Sequence, residues 1–137
     1  FGVLICFESV FPDINCEMVR NGAQSLIIIT NDDWWKNSPG HRQHFAYARL
    51  RAIENRRSVS RSANTGISGF IDEYGRIMKQ SMYKKKALVN QSIHLNQKMT
   101  LFSKYERPLR WLIMIISIFI FSLSMFFYII SFSKKTK

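Results

Sequence analysis

The sequence predicts an α/β domain followed by one C-terminal transmembrane helix, and three features carry that prediction. Two short apolar runs, GVLIC at 2–6 and SLIIIT at 25–30, flank a stretch of helix length. Two turn-forming triplets, NTG at 64–66 and EYG at 73–75, divide the following region into strand-length pieces. From Trp111 to Phe132 there is no charged residue. Apolar runs without alternation suit strands covered on both faces, whereas alternation marks a half-exposed strand.

The elements follow in order. Gly2 to Cys6 reads as a buried strand. Pro12 and Asp13 open a helix, because proline suits a first turn and aspartate complements the positive helix end. Gly22 ends it. Ser25 to Thr30 is the second strand, so strand, helix and strand form a βαβ crossover. NDDWWKNSPGH at 31–41 is a loop rich in turn formers. His41 to Arg57 reads as a helix with Phe45, Ala48, Ala52 and Ile53 on one side and arginines mostly on the other. Ser58 to Ala63, Ile67 to Asp72 and Arg76 to Met78 read as strands, and Ala87 to Leu95 as a last one. The boundaries expected are therefore a domain at 1–100, a polar linker at 101–110, a membrane helix at 111–132 and a basic tail at 133–137. At about 1.5 Å per residue the uncharged run reaches roughly 33 Å, which spans a bilayer core of ~30 Å. Arg107 and Arg110 flank one end and Lys134, Lys135 and Lys137 the other, so charge does not orient the helix.

Lys and Arg total 20 against 9 Asp and Glu, a formal charge of +11. That balance favours anionic partners. No aromatic-interleaved nucleic-acid motif accompanies the arginines at 49, 51, 56, 57 and 61, so solvated faces and a membrane surface are the simpler reading. The two cysteines, Cys6 and Cys16, make neither a metal set nor a disulfide framework. His41 and His44 share a helix face, but no carboxylate stands at ligand spacing beside them, and a structural or surface role is expected. His94 stands apart.

Cys6 ends a buried strand just before a turn into a helix, where α/β folds place ligands. Such a turn can present a thiol and helix-end amides to a pocket. Free cysteine is also among the most buried of residues, and position alone favours that plainer role. Glu8 is by position an exposed turn carboxylate. Asn31 and Asp32 either line a pocket or cap the loop.

Four segments in order, ICFESVFPD, TNDDWW, QHFAYARLRAIENRR and RSANTGISGFIDEYGRI, followed by one membrane helix, resemble the C-terminal part of the apolipoprotein N-acyltransferase family. That family comprises membrane-anchored members of the nitrilase superfamily. The resemblance runs over roughly residues 1–133 and is weakest from Met82 to Leu109. It implies an αββα sandwich, of which this chain holds a part, and a Cys–Glu–Lys triad in which Cys6 is the nucleophile. The general-base glutamate and the oxyanion lysine precede the nucleophile in this family and fall outside the residues here. The segment by itself is therefore expected to be inactive.

By the same resemblance Glu8 is a supporting carboxylate beside the nucleophile. Trp34 matches the tryptophan of the family's substrate loop, with Trp35, Asn31 and Asp32 around it. Asp33 stands where members usually carry a small residue. The implied reaction moves a fatty acyl chain from a phospholipid donor, through a cysteine thioester, to the N-terminal amine of a diacylated apolipoprotein. It calls for no cofactor and no metal, and the implied place is a bacterial inner membrane with the catalytic domain on the periplasmic side. The alternatives from the sequence are a membrane-anchored nitrilase-like amidase and a non-catalytic membrane-anchored remnant.

Overall fold

Strand order follows from where the apolar runs sit. The computed structural model describes residues 1–36 and 38–135, with side chains through Tyr128 and at Ser131. Asn37 of the predicted loop, and Thr136 and Lys137 of the predicted basic tail, lie outside the described residues. The chain divides into two compact units, Phe1–Lys104 and Tyr105–Lys137.

The first unit is built on a five-stranded sheet in sequence order: β1 (Gly2–Ile5), β2 (Ser25–Thr30), β3 (Ser58–Ala63), β4 (Gly69–Ile71) and β5 (Ile77–Gln80). The first three strands are parallel, joined through helices α1 (Pro12–Arg20) and α2 (Gly40–Asn55), and the last two return antiparallel. Parallel neighbours need a crossover, and the helices supply it. Pro12 occupies the first turn of α1, and Gly22 just beyond its end takes φ +95°, a conformation open to glycine at little cost. Five of the six predicted strands are thus present, β2 and β3 over the predicted residues and the other three with small shifts.

One face of the sheet is packed. Leu4, Leu26, Ile28, Val59 and Ile71 are fully buried with Val19, Phe45, Ala48 and Ala52 of the helices. Burying each large side chain contributes roughly 1.5–3 kcal/mol. The α2 face that contributes to this layer comprises His41, His44, Phe45, Ala48, Arg51, Ala52 and Asn55. Ile53, expected on that face, is exposed instead. The opposite face is open: Val3, Ile5 and Ile29 are about half exposed although they are apolar. Register places Val3 beside Ile27 and Ile5 beside Ile29, so β1 and β2 share a continuous apolar patch on the second side, which gives way to Ser60 and Ser62 in β3. That is how one half of a two-sheet sandwich looks.

Several arginines are not on solvated faces. Arg51, Arg57 and Arg61 are buried. Arg57 has carbonyls for partners: its Nε donates to Ala23 O at 2.7 Å, and Nη1 to Asn55 O, Arg56 O and Lys98 O at 3.2, 3.1 and 2.8 Å. Burial pushes its pKa down from the usual arginine value.

Two predicted elements differ. The expected strand Ala87–Leu95 is absent, and residues 81–100 are irregular. Its apolar run is interrupted by Asn90, Gln91 and Ser92, and strand propensity needs a neighbouring strand to express it. Isolated bonds hold this segment instead: Ser58 Oγ donates to His94 O at 2.9 Å, Asn96 Nδ2 to Arg56 O at 3.0 Å and the Asn96 N–H to Gln24 O at 3.2 Å.

The linker expected at 101–110 is helical, the first part of α3 (Leu101–Lys135). Thr100 caps it, its Oγ1 accepting the Ser103 N–H at 2.9 Å. Glu106 and Arg110 form an i,i+4 pair at 3.4 Å. Pro108 sits inside the helix. One lost backbone bond does not end a helix whose remaining groups must stay paired in an apolar medium. Residues 101–128 are long and apolar enough to cross a membrane.

Candidate active site

The turn after β1 carries the site. Cys6 has φ +51°, in the left-handed region where a residue with a Cβ is uncommon and costs about 1–2 kcal/mol. The strand ends at Ile5, one residue before the predicted boundary, because Cys6 departs from extended geometry. A tight turn over Cys6–Val10 follows. The thiol-bearing residue is partly exposed, whereas Cys16 is fully buried in α1, and neither is in a disulfide.

The turn is tied from several sides. Glu8 curls back so that its Oε2 accepts the Ile5 N–H at 2.7 Å. Its carboxylate therefore caps the turn. Asn15 of α1 donates from Nδ2 to Phe11 O at 2.7 Å and more loosely to Glu8 O and Ser9 O. Ser9 Oγ donates to Cys6 O at 2.9 Å.

Behind the turn lies a buried polar chain. Ser9 Oγ is 3.3 Å from His44 Nε2. His44 Nδ1 lies 2.8 Å from Asp32 Oδ1, and since a carboxylate only accepts, the ring donates there. Arg61 Nη2 donates to Asp32 Oδ2 at 2.8 Å, and Nη1 to Ile67 O. Burial pushes the Asp32 carboxyl up, but hydrogen bonds from His44 and Arg61, with their charges, outweigh it and hold the group below the usual aspartate value. Gly66 is required here, because a Cβ on it would lie 2.1 Å from Asp32 Oδ2.

The predicted site residues thus part company. Cys6 and Asp32 belong to one connected structure, reached through Ser9 and His44. Asp32 is fully buried, so its carboxylate organises the site from behind and does not face a pocket. Asn31 is exposed, its Oδ1 accepting the Asp33 N–H at 3.2 Å. Trp35 lies against Gly40, where a Cβ would meet its ring at 2.2 Å, and with Phe7, Val10, Gln43, His44 and Tyr47 it lines a cavity of about 190 Å³. Trp34 points away, 82% exposed. No motif assigned Ser9, Asn15 or Arg61 a site role, and buried His44 takes the structural one of the two roles expected for it. His44 shares the buried face of α2 with Phe45 and Ala48, and Arg61 shares the inward parity of Val59 in β3. Those were the available signals. His41 stacks on Tyr83 at 3.9 Å, and His94 is exposed near Glu73.

The family model for carbon–nitrogen hydrolases matches residues 1–101. The apolipoprotein N-acyltransferase of Geobacter metallireducens is 36% identical over 110 residues, covering 80% of this chain and 21% of that protein. The Thermotoga maritima protein of the same name is 47% identical over 76 residues, 56% of this chain and 15% of its own length. That of Agrobacterium fabrum is 38% identical over 125 residues, 87% and 23% of the two chains. The chain therefore spans about a fifth of the length of these relatives.

Among solved structures, Nit3 of Saccharomyces cerevisiae, in branch 10 of the nitrilase superfamily, superposes with TM-score 0.53 at 24% identity, covering 63% of this chain and 34% of its own. A carbon–nitrogen hydrolase from Helicobacter pylori gives 0.56 at 15% identity, with 62% and 37% covered. These likenesses speak to the fold, and they agree with the half-sandwich described above. With the family model matched over residues 1–101 and the βαβ turn that carries Cys6 inside that match, the chain belongs to the carbon–nitrogen hydrolase family, the nitrilase superfamily.

Proposed function

We propose that this chain is the nucleophile-bearing part of an apolipoprotein N-acyltransferase. The observation that carries the reading is Cys6 at a strained, presented turn in a chain 36–47% identical to proteins of that name. In the proposed reaction Cys6 Sγ attacks the ester carbonyl of a phospholipid. The C–O bond breaks, the lysophospholipid leaves with the proton taken from the thiol, and a thioester remains. The α-amine of a diacylglyceryl-cysteine then attacks that thioester; the amide forms, the C–S bond breaks, and the amine's proton returns to sulfur. Splitting the exchange in this way replaces one difficult step by two easier ones.

On this reading the general base and the oxyanion lysine precede Cys6 in the whole protein. Glu8 does not substitute for that base, because its carboxylate is committed to the Ile5 amide. A membrane helix suits the reading, since drawing an acyl chain into water costs about 0.8 kcal/mol per CH₂. The bacterial relatives support a place in the bacterial inner membrane with this domain on the outer, periplasmic face. The test is direct: the full-length protein, given phospholipid and a diacylated lipopeptide, should yield the N-acylated peptide and lysophospholipid in equal amounts. Release of free fatty acid or ammonia without peptide acylation would favour a hydrolase.

Trp34 enters the same proposal. An indole so exposed on a loop suits the interface of a bilayer, apolar in body with one polar N–H. Trp34→Ala in the full-length protein is expected to lower turnover of liposome-borne substrate about tenfold while leaving the protein folded, since buried area on the order of a large side chain is worth roughly 1.5 kcal/mol or more. Unchanged kinetics on liposomes would remove the loop from substrate capture.

A further inference from the structure

We propose that Ser9 and His44, backed by Asp32 and Arg61, are positioning residues that hold the Cys6 turn in its left-handed conformation. The inference rests on the reading of Cys6 as the nucleophile. A φ of +51° is not where a cysteine rests unaided, and such a conformation persists only when its surroundings over-determine it. The backbone groups of Cys6 face one dedicated side chain: Ser9 Oγ takes hold of Cys6 O at 2.9 Å.

A serine hydroxyl rotates freely and would not by itself fix that carbonyl. It has one proton for two neighbours, Cys6 O at 2.9 Å and His44 Nε2 at 3.3 Å. With that proton on Cys6 O, Oγ has only lone pairs left for His44, so the imidazole holds the hydroxyl in place by donating from Nε2–H, and the imidazole is itself fixed. Its Nδ1 is anchored on Asp32, which Arg61 holds from the other side. The four side chains are buried, so no water competes for these bonds. They come from the ends of β1 and β2, from β3 and from α2, so the sheet's rigid frame is passed through them to one carbonyl. None of the four side chains has to touch substrate for this to work.

The experiment compares Ser9→Ala, His44→Phe and the double variant in the full-length membrane-embedded protein. The rate of Cys6 acylation by phosphatidylglycerol or phosphatidylethanolamine vesicles is followed by intact mass. Misplacing a nucleophile by about 1 Å can cost on the order of a hundredfold, so each single variant is expected to lose tenfold or more in kcat with KM within about threefold. The double variant is expected to lose no more than the worse single one, because both act through one chain. Cys16, fully buried, reports opening: its alkylation by iodoacetamide should stay as slow as in the parent protein.

Three results would overturn the proposal: Ser9→Ala acylating within twofold of the parent, losses that multiply in the double variant, or losses matched by exposure of Cys16. Failure of the underlying reading looks different. In that case Cys6→Ala would still accumulate an acyl adduct, whatever Ser9 does.

Discussion

Cys6→Ser in the full-length protein is expected to lower acyl transfer about a thousandfold or more while leaving thermal unfolding essentially unchanged, because a hydroxyl at neutral pH is a far weaker nucleophile than a thiolate. The substitution keeps the volume, the positive φ and the Ser9 bond to the backbone carbonyl, so sulfur chemistry is the difference being measured. With phospholipid and no acceptor, the parent protein should carry one acyl group that neutral hydroxylamine removes, and Cys6→Ser should not. Cys16→Ala is the control. Its sulfur is buried in α1, so it should cost about 1 kcal/mol of stability and keep the adduct. An adduct retained in Cys6→Ala and lost in Cys16→Ala would assign the chemistry to the other sulfur.

Arg61→Met should be strongly destabilising, by about 3 kcal/mol or more, because it leaves the Asp32 carboxylate buried without its permanently charged partner. The pH dependence follows from Asp32. Burial raises its pKa and the bonds from His44 and Arg61 lower it further, so the net value lies below that of the unfolded chain, near 3.9. Its contribution is therefore complete above about pH 4 and is lost as pH falls through the lower folded value. In Arg61→Met the depressing partner is gone and the folded value moves up toward the unfolded one, so Asp32 contributes less acid loss and the stability gap between the two proteins should narrow as pH falls. Denaturant midpoints of the two proteins from pH 3 to 7 measure both effects. Equal midpoints throughout would show that the pair is energetically idle.

Local signals located most of the sheet. SLIIIT and SVSRSA are strands over the residues their patterns mark, since contiguous β-formers bounded by turn residues leave little choice. The run at 87–95 has comparable composition but no strand beside it, and pattern alone does not reveal a missing neighbour. The polar composition of 101–110 suggested a linker where the helix in fact begins and runs on through Pro108 into the apolar stretch. At the candidate site, the family motif pointed to Cys6, whereas position alone pointed to a plain buried cysteine. The chain behind it was not legible, because Ser9 and His44 meet across 35 residues and Asp32 and Arg61 across 29. Net charge misled most: an arginine counted among solvated cations is the buried hinge of the network.

Arg57 gives the first unit an uneven resistance to opening. Its guanidinium gathers carbonyls from the α1–β2 connection, the end of α2 and the segment near Lys98, and it exchanges no ladder bonds with that segment. Residues 81–100 are thus fastened by side chains and three scattered backbone bonds, from Ser81, Lys84 and Asn96, whereas β1, β2 and β3 share continuous backbone pairing. Amide protons in the fastened segment should trade with deuterium through small, frequent detachments, and those of β2 only when the whole sheet comes apart. The segment can thus detach while the scaffold of the Cys6 turn stays shut.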